Sequence, residues 1–483
     1  MPPPPILTLS DRFYAEVAPA AFPEHILRYR NDRWAARIGL ANLDGRQWTD
    51  HFARFAPLPD NLPRPLALAY HGHQFRSYNP DIGDGRGFLF AQLQDQADDR
   101  LLDLGTKGSG TTPFSRGGDG RLTLKGGVRE VLAAEALEAS GVYTSKALSL
   151  IETGEALTRG DEPSPTRSSV LVRLSHSHLR FGTFQRLAYT GDADATERLL
   201  AYACRHYFPD LQDLAAAEQA PAFLRVVVDR SAHLAASWMA AGFVHGVLNT
   251  DNLTVTGESF DYGPWRFLPS VDPGFTAAYF DHTGLYAYGR QAEAVLWALS
   301  RLGGALTPVA DEDTLTEALS SYADAYMTAI ADAFFARLGL SRGEDEADTA
   351  LVQDLLTWMA QAGIAFEQAM FDLYAAPARP EARARSPHAD AYAAPAFGAV
   401  RERLDARELA PGARWNDPYF DRAAPEGLLY DEVEAIWARI DEADDWSAFE
   451  AKIAGLRAKG AAYALPPLSA PPGHRSLAEE TPA

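Results

Sequence analysis

The chain has 483 residues but only one cysteine, Cys204, and five lysines: Lys107, Lys125, Lys146, Lys452 and Lys459. A single cysteine excludes an intrachain disulfide framework and fits a reducing compartment. No uncharged apolar run approaches the roughly 18–20 residues of a membrane helix, so no membrane partner is expected. The start, MPPPPILTLSDR, has no basic region followed by an apolar stretch, so no signal peptide is read and a cytoplasmic protein is expected. Positive charge is short overall, with a net charge of −21. That argues against a nucleic-acid partner, which needs a basic stripe. It still permits a locally basic cleft for one nucleotide. With so few lysines, few compete for any phosphate-binding role.

What is present in quantity is apolar sequence, 47% of the chain. That is ample for a large core and suggests two or three domains. Residues 1–60 show no strong period. GFLFAQLQD (87–95) and LLDLGTKG (101–108) read as the two strands of a hairpin, with the glycine-rich turn IGDGRG (82–87) at one end and Lys107 at the other. GVREVLAAEALEASG (127–141) reads as a helix ending at Gly141. ALSLIETGE (147–155) and SSVLVRLS (168–175) read as strands separated by a polar hairpin loop. RVVVDRSAHLAASWMAAG (225–242) reads as an apolar helix, LTVTGESFDYG (253–263) as strand, tight turn and strand end, and 431–456 as helix. Residues 376–425 read as an irregular surface linker or loop, and PPLSAPPGHRSLAEETPA as a disordered tail. Strands precede helices, which predicts an α+β fold. Three divisions are expected: a sheet-rich small lobe over 1–185, a helical lobe over 186–375, and a linker, helical extension and tail over 376–483.

The segment with the most chemical content is HGVLNTDN (245–252), followed by DYG (261–263). It is similar to the kinase pair H-R-D-L-x-x-x-N and D-F-G, with nucleotide between two lobes, but Val247 stands where the kinase loop has its proton-accepting Asp. Asn252 is in register, and Asp251 precedes it. Mg²⁺ and Mn²⁺ take oxygen ligands, usually about one or two from protein, so Asn252 and Asp261 are the candidate metal ligands, joined by an expected hairpin. Asp251 is the candidate general base, or else a turn cap or an outer partner of the metal. Lys107 is the candidate phosphate ligand. Its partner is sought on the next helix among Glu130, Glu135 and Glu138, and Glu130 is preferred. Gly83, Gly85 and Arg86 form a turn that could cover phosphates. Arg173 and Arg180, flanking SHSHL, could grip them with bidentate contacts. Each of these also has an ordinary reading as a hairpin turn or a surface ion pair. His71, His73, His176, His178 and His245 raise a zinc site, which the missing thiolate cluster disfavours.

The segments HGHQF with IGDGRG (71–87), LDLGTKGSGTTPFSRGGDGR (102–121), VREVLAAEAL (128–137), VRLSHSHLRFGTF (172–184) and GFVHGVLNTDN with DYGP (242–264) together resemble the selenoprotein O family. These are proteins of kinase-like fold that transfer AMP to proteins. The resemblance implies a two-lobe fold and ATP bound by Gly83, Gly85, Arg86, Lys107, Asp119, Gly120, Arg173, Arg180 and Asp261. Lys107 would pair with Glu130, Asp251 would accept the proton, and Asn252 and Asp261 would hold Mg²⁺ or Mn²⁺. It also implies a nucleotide flipped relative to kinases, with the α-phosphate facing a Ser, Thr or Tyr hydroxyl of a protein partner. Two alternatives stay open: UMP transfer from UTP with Mn²⁺ at the same site, and a non-catalytic ATP-binding module. Many relatives carry selenocysteine or cysteine near the C-terminus. The stretch after 465 has neither, so redox gating through an intrachain disulfide is not expected.

Overall fold

The computed structural model describes residues 3–160 and 162–466. The tail read from Pro466 onward lies, apart from that first residue, outside them.

The strands are β1 (Tyr14–Glu16), β2 (Ile26–Arg30), β3 (Leu66–Leu68), β4 (Gly72–Gln74), β5 (Ser77–Asn79), β6 (Leu89–Gln94), β7 (Leu101–Lys107), β8 (Leu122–Thr123), β9 (Lys146–Leu157), β10 (Thr166–Ser175), β11 (Phe243–Val244) and β12 (Arg266–Phe267). Eight of them form one curled antiparallel sheet in the order β1-β3-β6-β7-β10-β9-β2, with β8 paired to β10. The sheet is apolar on both faces because both are covered, and the two-residue side-chain period sorts its residues between two cores. Phe88, Phe90, Leu102, Leu104, Val170 and Val172 enter one core, closed by Trp34 of α1 (Asp32–Arg37) and by Trp48 and Phe52 of α2 (Gly45–Phe52). Leu89, Leu150 and Leu171 enter the other, closed by α3 (Leu124–Ala139). Thr123 caps α3 by accepting from the Gly126 N–H, so the helix starts three residues earlier than the sequence suggests and Glu130 lies in its second turn.

The helical lobe contains α4 (Phe181–Tyr189), α5 (Ala193–Tyr207), α6 (Ala216–Ala240), α7 (Gln291–Leu306), α8 (Glu312–Ser320), α9 (Tyr322–Leu338), α10 (Asp345–Ala362), α11 (Phe366–Leu373), α12 (Pro380–Arg385), α13 (Ala389–Ala393) and α14 (Gly398–Asp405). Helix α6 is apolar on nearly every side, and α7, α8 and α9 pack around it. The architecture is a mixed α+β, two-lobe kinase-like fold.

Three sequence expectations change. Residues 1–60 contain two strands and two helices. Asp44 and Gln47 form a capping box at the start of α2, a signal present in the sequence. Residues 376–425 are not an irregular surface segment. They include α12–α14, and Ala382, Tyr392, Phe397, Val400 and Leu404 are buried; Phe397 packs on Trp358 with ring centroids 4.5 Å apart. The helix expected over 431–456 is two helices, α15 (Tyr430–Ala443) and α16 (Ser447–Tyr463), broken where Asp444 turns left-handed at φ 49°.

Among the described residues, no helix is long and apolar enough to cross a membrane.

Candidate active site

Lys107 ends β7, and Arg173 lies on the adjacent strand β10. Leu171 faces Lys107 and Arg173 faces Gly105, so the two cations project from the same face of the sheet, two residues apart in register. Both reach Asp261. Lys107 Nζ lies 2.7 Å from Asp261 Oδ1, and Arg173 Nη1 lies 3.3 Å from the same oxygen. Arg180, at the N-cap of α4, donates from Nη1 to Asp261 Oδ2 at 3.2 Å and to the Asp251 carbonyl at 2.6 Å. Lys107 also pairs with Glu130 Oε1 from α3. Asp261 is thus a carboxylate shared by three cations, held in a left-handed backbone at φ 66°, a conformation uncommon outside glycine. Burial pushes its pKa up, but Lys107, Arg173 and Arg180 outweigh that and hold it well below the usual range.

These groups line a cavity of about 450 Å³ together with Gly83, Gly85, Arg86, Asp119, Gly120 and Asp251. Glu130 stands behind Lys107. Asn252 is not part of the lining; it follows Asp251 and donates from Nδ2 to the Val247 carbonyl at 3.0 Å, a contact that engages the amide nitrogen and not the amide oxygen. Among the described residues of the lining, Arg86, Arg116, Arg121, Arg159, Arg173, Arg180 and Lys107 face four acids, Asp84, Asp119, Asp251 and Asp261. In a chain of net charge −21, this is a locally cationic cleft.

Asp251 is 8% exposed, and its Oδ1 has no hydrogen-bond partner. Burial raises its pKa to about 6, against the opposing pull of Arg180. Its roof is the β4–β5 hairpin. A Cβ on Gly72 would sit 3.0 Å from Asp251 Oδ1, so only glycine passes there without displacing the carboxylate. The His73 N–H donates to Thr250 Oγ1 at 2.7 Å, and Thr250 donates to Gln185 Oε1 at 2.7 Å, which ties the hairpin, the loop and α4 together. Val247 puts no ionisable group where a kinase has its Asp.

The glycine turn packs against Phe114. A Cβ on Gly83 would meet the Phe114 ring at 2.5 Å, and one on Gly85 the Phe114 carbonyl at 2.8 Å. Phe114 therefore occupies the space these glycines leave. Asp119 accepts from Arg159 at 2.7 and 3.1 Å, and Arg121 is paired to Glu155 at 2.8 Å. Sequence reasoning missed Asp84, Arg116, Arg121, Arg159, Tyr70 and Phe114. Asp84 sits between the two glycines it singled out. One carboxylate oxygen of Asp84 accepts from the Leu68 N–H at 3.0 Å and the other faces Arg180 at 3.5 Å. The Arg180 guanidinium lies 4.4 Å from the Tyr70 ring and 4.5 Å from the Phe260 ring, two cation–π contacts.

The segment joining Asn252 to Asp261 is not a hairpin. Val255 N–H donates to the Leu179 carbonyl at 3.0 Å, and Ser259 N–H to the Tyr143 carbonyl at 2.8 Å. Each arm makes its backbone bridge with a different neighbour, and Thr254 Oγ1 ties the arms by accepting from the Glu258 N–H at 3.2 Å. Glu258, in the turn between them, is buried and accepts from the His176 N–H at 2.9 Å. Burial raises its pKa to about 7. The folded state therefore binds this proton more tightly than the unfolded chain does, and stability falls as pH rises from the ordinary glutamate value to about 7. Glu258→Gln keeps an acceptor for His176 and removes the charge. Its melting temperature relative to the parent should climb between pH 4.5 and 8, by an amount worth about 2–3 kcal/mol; parallel melting curves across that range would refute the assignment.

The histidines are engaged within the protein. His71 Nδ1 lies 2.8 Å from Tyr78 Oη, His73 Nδ1 lies 3.1 Å from Gln185 Nε2, and His245 Nε2 lies 3.0 Å from the Phe260 carbonyl. His176 packs edge-on against Tyr207, and His178 against Phe260. Among the described residues, no group of three or more His, Cys, Asp or Glu could hold a metal ion. Cys204 is buried, and burial raises its thiol to about 12.

The family profile described as "Protein adenylyltransferase SelO" matches residues 3–457. A relative from Synechocystis sp. named "Protein nucleotidyltransferase YdiU" is 44% identical over 459 residues, 92% of this chain and 95% of its own length. Relatives of the same name from Gloeobacter violaceus and Cereibacter sphaeroides are 46% and 40% identical, covering 94% and 72% of this chain and 94% and 72% of their own lengths. The chain belongs to the SelO family and is a nucleotidyltransferase.

Proposed function

We propose that this chain transfers AMP from ATP to Ser, Thr or Tyr hydroxyls of proteins. The observation that carries the reading is the arrangement of the cleft: a carboxylate with an unpartnered oxygen, Asp251, in the wall of a cavity that also holds Lys107, Arg173 and Arg180. The acceptor oxygen forms a bond to the α-phosphorus, and the bond from that phosphorus to the bridging oxygen of pyrophosphate breaks. The hydroxyl proton passes to Asp251, whose raised pKa suits a base working near neutrality. Charge developing on the departing pyrophosphate is met by the three cations, which are buried in the cleft wall and so act strongly.

The donors beside this site are all hard oxygens, which suits Mg²⁺ or Mn²⁺. The Asn252 amide oxygen and Asp261 would hold the metal, and when bound it would neutralise phosphate charge. Phosphates compete with Asp261 for Lys107, Arg173 and Arg180, so nucleotide binding releases its oxygens for that role. The protein partner and the choice of ATP belong to this proposal.

ATP labelled separately at the α- and γ-phosphates tests it. Label from α should become protein-bound with release of pyrophosphate. Retention of γ label instead would make the enzyme a kinase, and ATP binding with no transferred label would make it a binding module. α-Labelled UTP in parallel reports uridylyl transfer.

A further inference from the structure

Helix α3 has two functional faces. Glu130 pairs with Lys107, which lines the cleft. Glu135 lies five residues on, about 140° round the helix at the usual 3.6 residues per turn, and it is gripped from behind. Its carboxylate, 4% exposed by residue, accepts from Tyr29 Oη at 2.6 Å, Arg33 Nη2 at 3.1 Å, and Arg457 Nε and Nη2 at 2.9 and 2.7 Å. Arg457 belongs to α16, more than 300 residues away in the chain. Its Nη2 also donates to Tyr29 Oη at 3.0 Å.

The helices themselves are close. A Cβ on Gly460 would lie 3.2 Å from the Ala139 Cα, and one on Gly141, just past α3, would lie 2.8 Å from Leu465. The preceding helix adds further ties. Lys125 of α3 pairs with Glu434 of α15 at 2.7 Å, and Asp444, at the α15–α16 break, takes Arg28 and Arg167 of the sheet at 3.0 and 2.7 Å.

We infer that α16 is a built-in clamp on α3, and that Arg457 is a positioning residue that sets Glu130, and through it Lys107, for the nucleotide. In a kinase-like fold the lysine–glutamate pair must be in place for activity, and the position of its helix controls that. Here the control element is covalently part of the chain. A bidentate guanidinium on a buried carboxylate fixes the helix's rotation as well as its distance. The link from Lys107 to nucleotide rests on the function proposed above.

The experiment is a cycle on the full chain with Arg457→Met, Glu130→Ala and the double variant. It is read by equilibrium binding of ATP, by transfer, and by hydrogen exchange at the amides of residues 124–139. Arg457→Met should weaken ATP binding about 10-fold and speed exchange across α3. Adding it to Glu130→Ala should cost nothing further, because one path carries both effects. Arg457→Lys, which keeps the charge but not the bidentate grip, should recover only part of the affinity. Gly460→Val, which forces the helices apart without touching a charge, should reproduce the loss. Multiplicative losses in the double variant, or wild-type ATP affinity in Arg457→Met, would overturn the inference, as would unchanged exchange. If the wild type does not bind ATP, the proposed function fails by itself, and the exchange measurement still decides the clamp.

Discussion

Replacing Asp251 by Asn should lower kcat for nucleotidyl transfer by about 10²–10⁴-fold, the range in which a positioned general base contributes. Nucleotide affinity should change little. The reason lies in which atoms of Asp251 are engaged: its carbonyl, not its carboxylate, holds Arg180, while Oδ1 makes no hydrogen bond. An amide keeps the shape and the backbone contact and loses the negative charge and the ability to take a proton. Steady-state kinetics together with direct nucleotide binding separate these effects. A variant that kept its turnover would place the base elsewhere. One that lost affinity in proportion to rate would make Asp251 a nucleotide ligand.

Asp261→Asn should have the second large effect, for a different reason. Asp261 is the shared counter-charge of Lys107, Arg173 and Arg180. Removing its charge leaves Lys107 with Glu130 and Arg180 with Asp84, takes from Arg173 the acid it meets, and removes an oxygen anion from the phosphate site. Transfer should fall on the order of 10³-fold, near the upper range for losing one preorganised electrostatic partner. The nucleotide-free variant should also melt several degrees lower, since leaving buried charges uncompensated costs stability. A triphosphate supplies what the variant lacks. In chelator, ATP should therefore raise the variant's melting temperature more than it raises the parent's, because ligand binding stabilises by mass action. A smaller ATP-induced shift than the parent's would mean that the cation cluster does not meet phosphate.

What could be read without the structure was what lies close along the chain. Asp251, Asn252 and Asp261 fall within a few residues of one another, and Lys107 ends a strand whose apolar pattern is plain. Glu130 was one of three acids on the same helix, and only the fold separates it from Glu135 and Glu138. What could not be read depends on contacts between distant segments. Arg159 meets Asp119 from 40 residues away in the chain, and neither residue type announces the other. The glycines at 83 and 85 were visible, but not the Phe114 that needs them small. The arms around Glu258 look like a hairpin because each is strand-like. They separate because better backbone partners, Leu179 and Tyr143, are available on either side. Residues 376–425 hid their core contacts in an Ala-, Pro- and Arg-rich composition that resembles a linker. Tyr392 and Phe397 are too few to give a period, yet they are enough to seat three short helices.

Cys204 looked uninformative: one thiol, fully buried in α5 with its ionisation pushed to about 12. A thiol so protected is a poor nucleophile. It makes the chain a quiet background for site-directed probes. A single cysteine introduced at Ala454, on the exposed face of α16, would be the one residue that a maleimide dye or spin label reaches. Helix α16 can then be watched directly while nucleotide is added, in the otherwise native sequence.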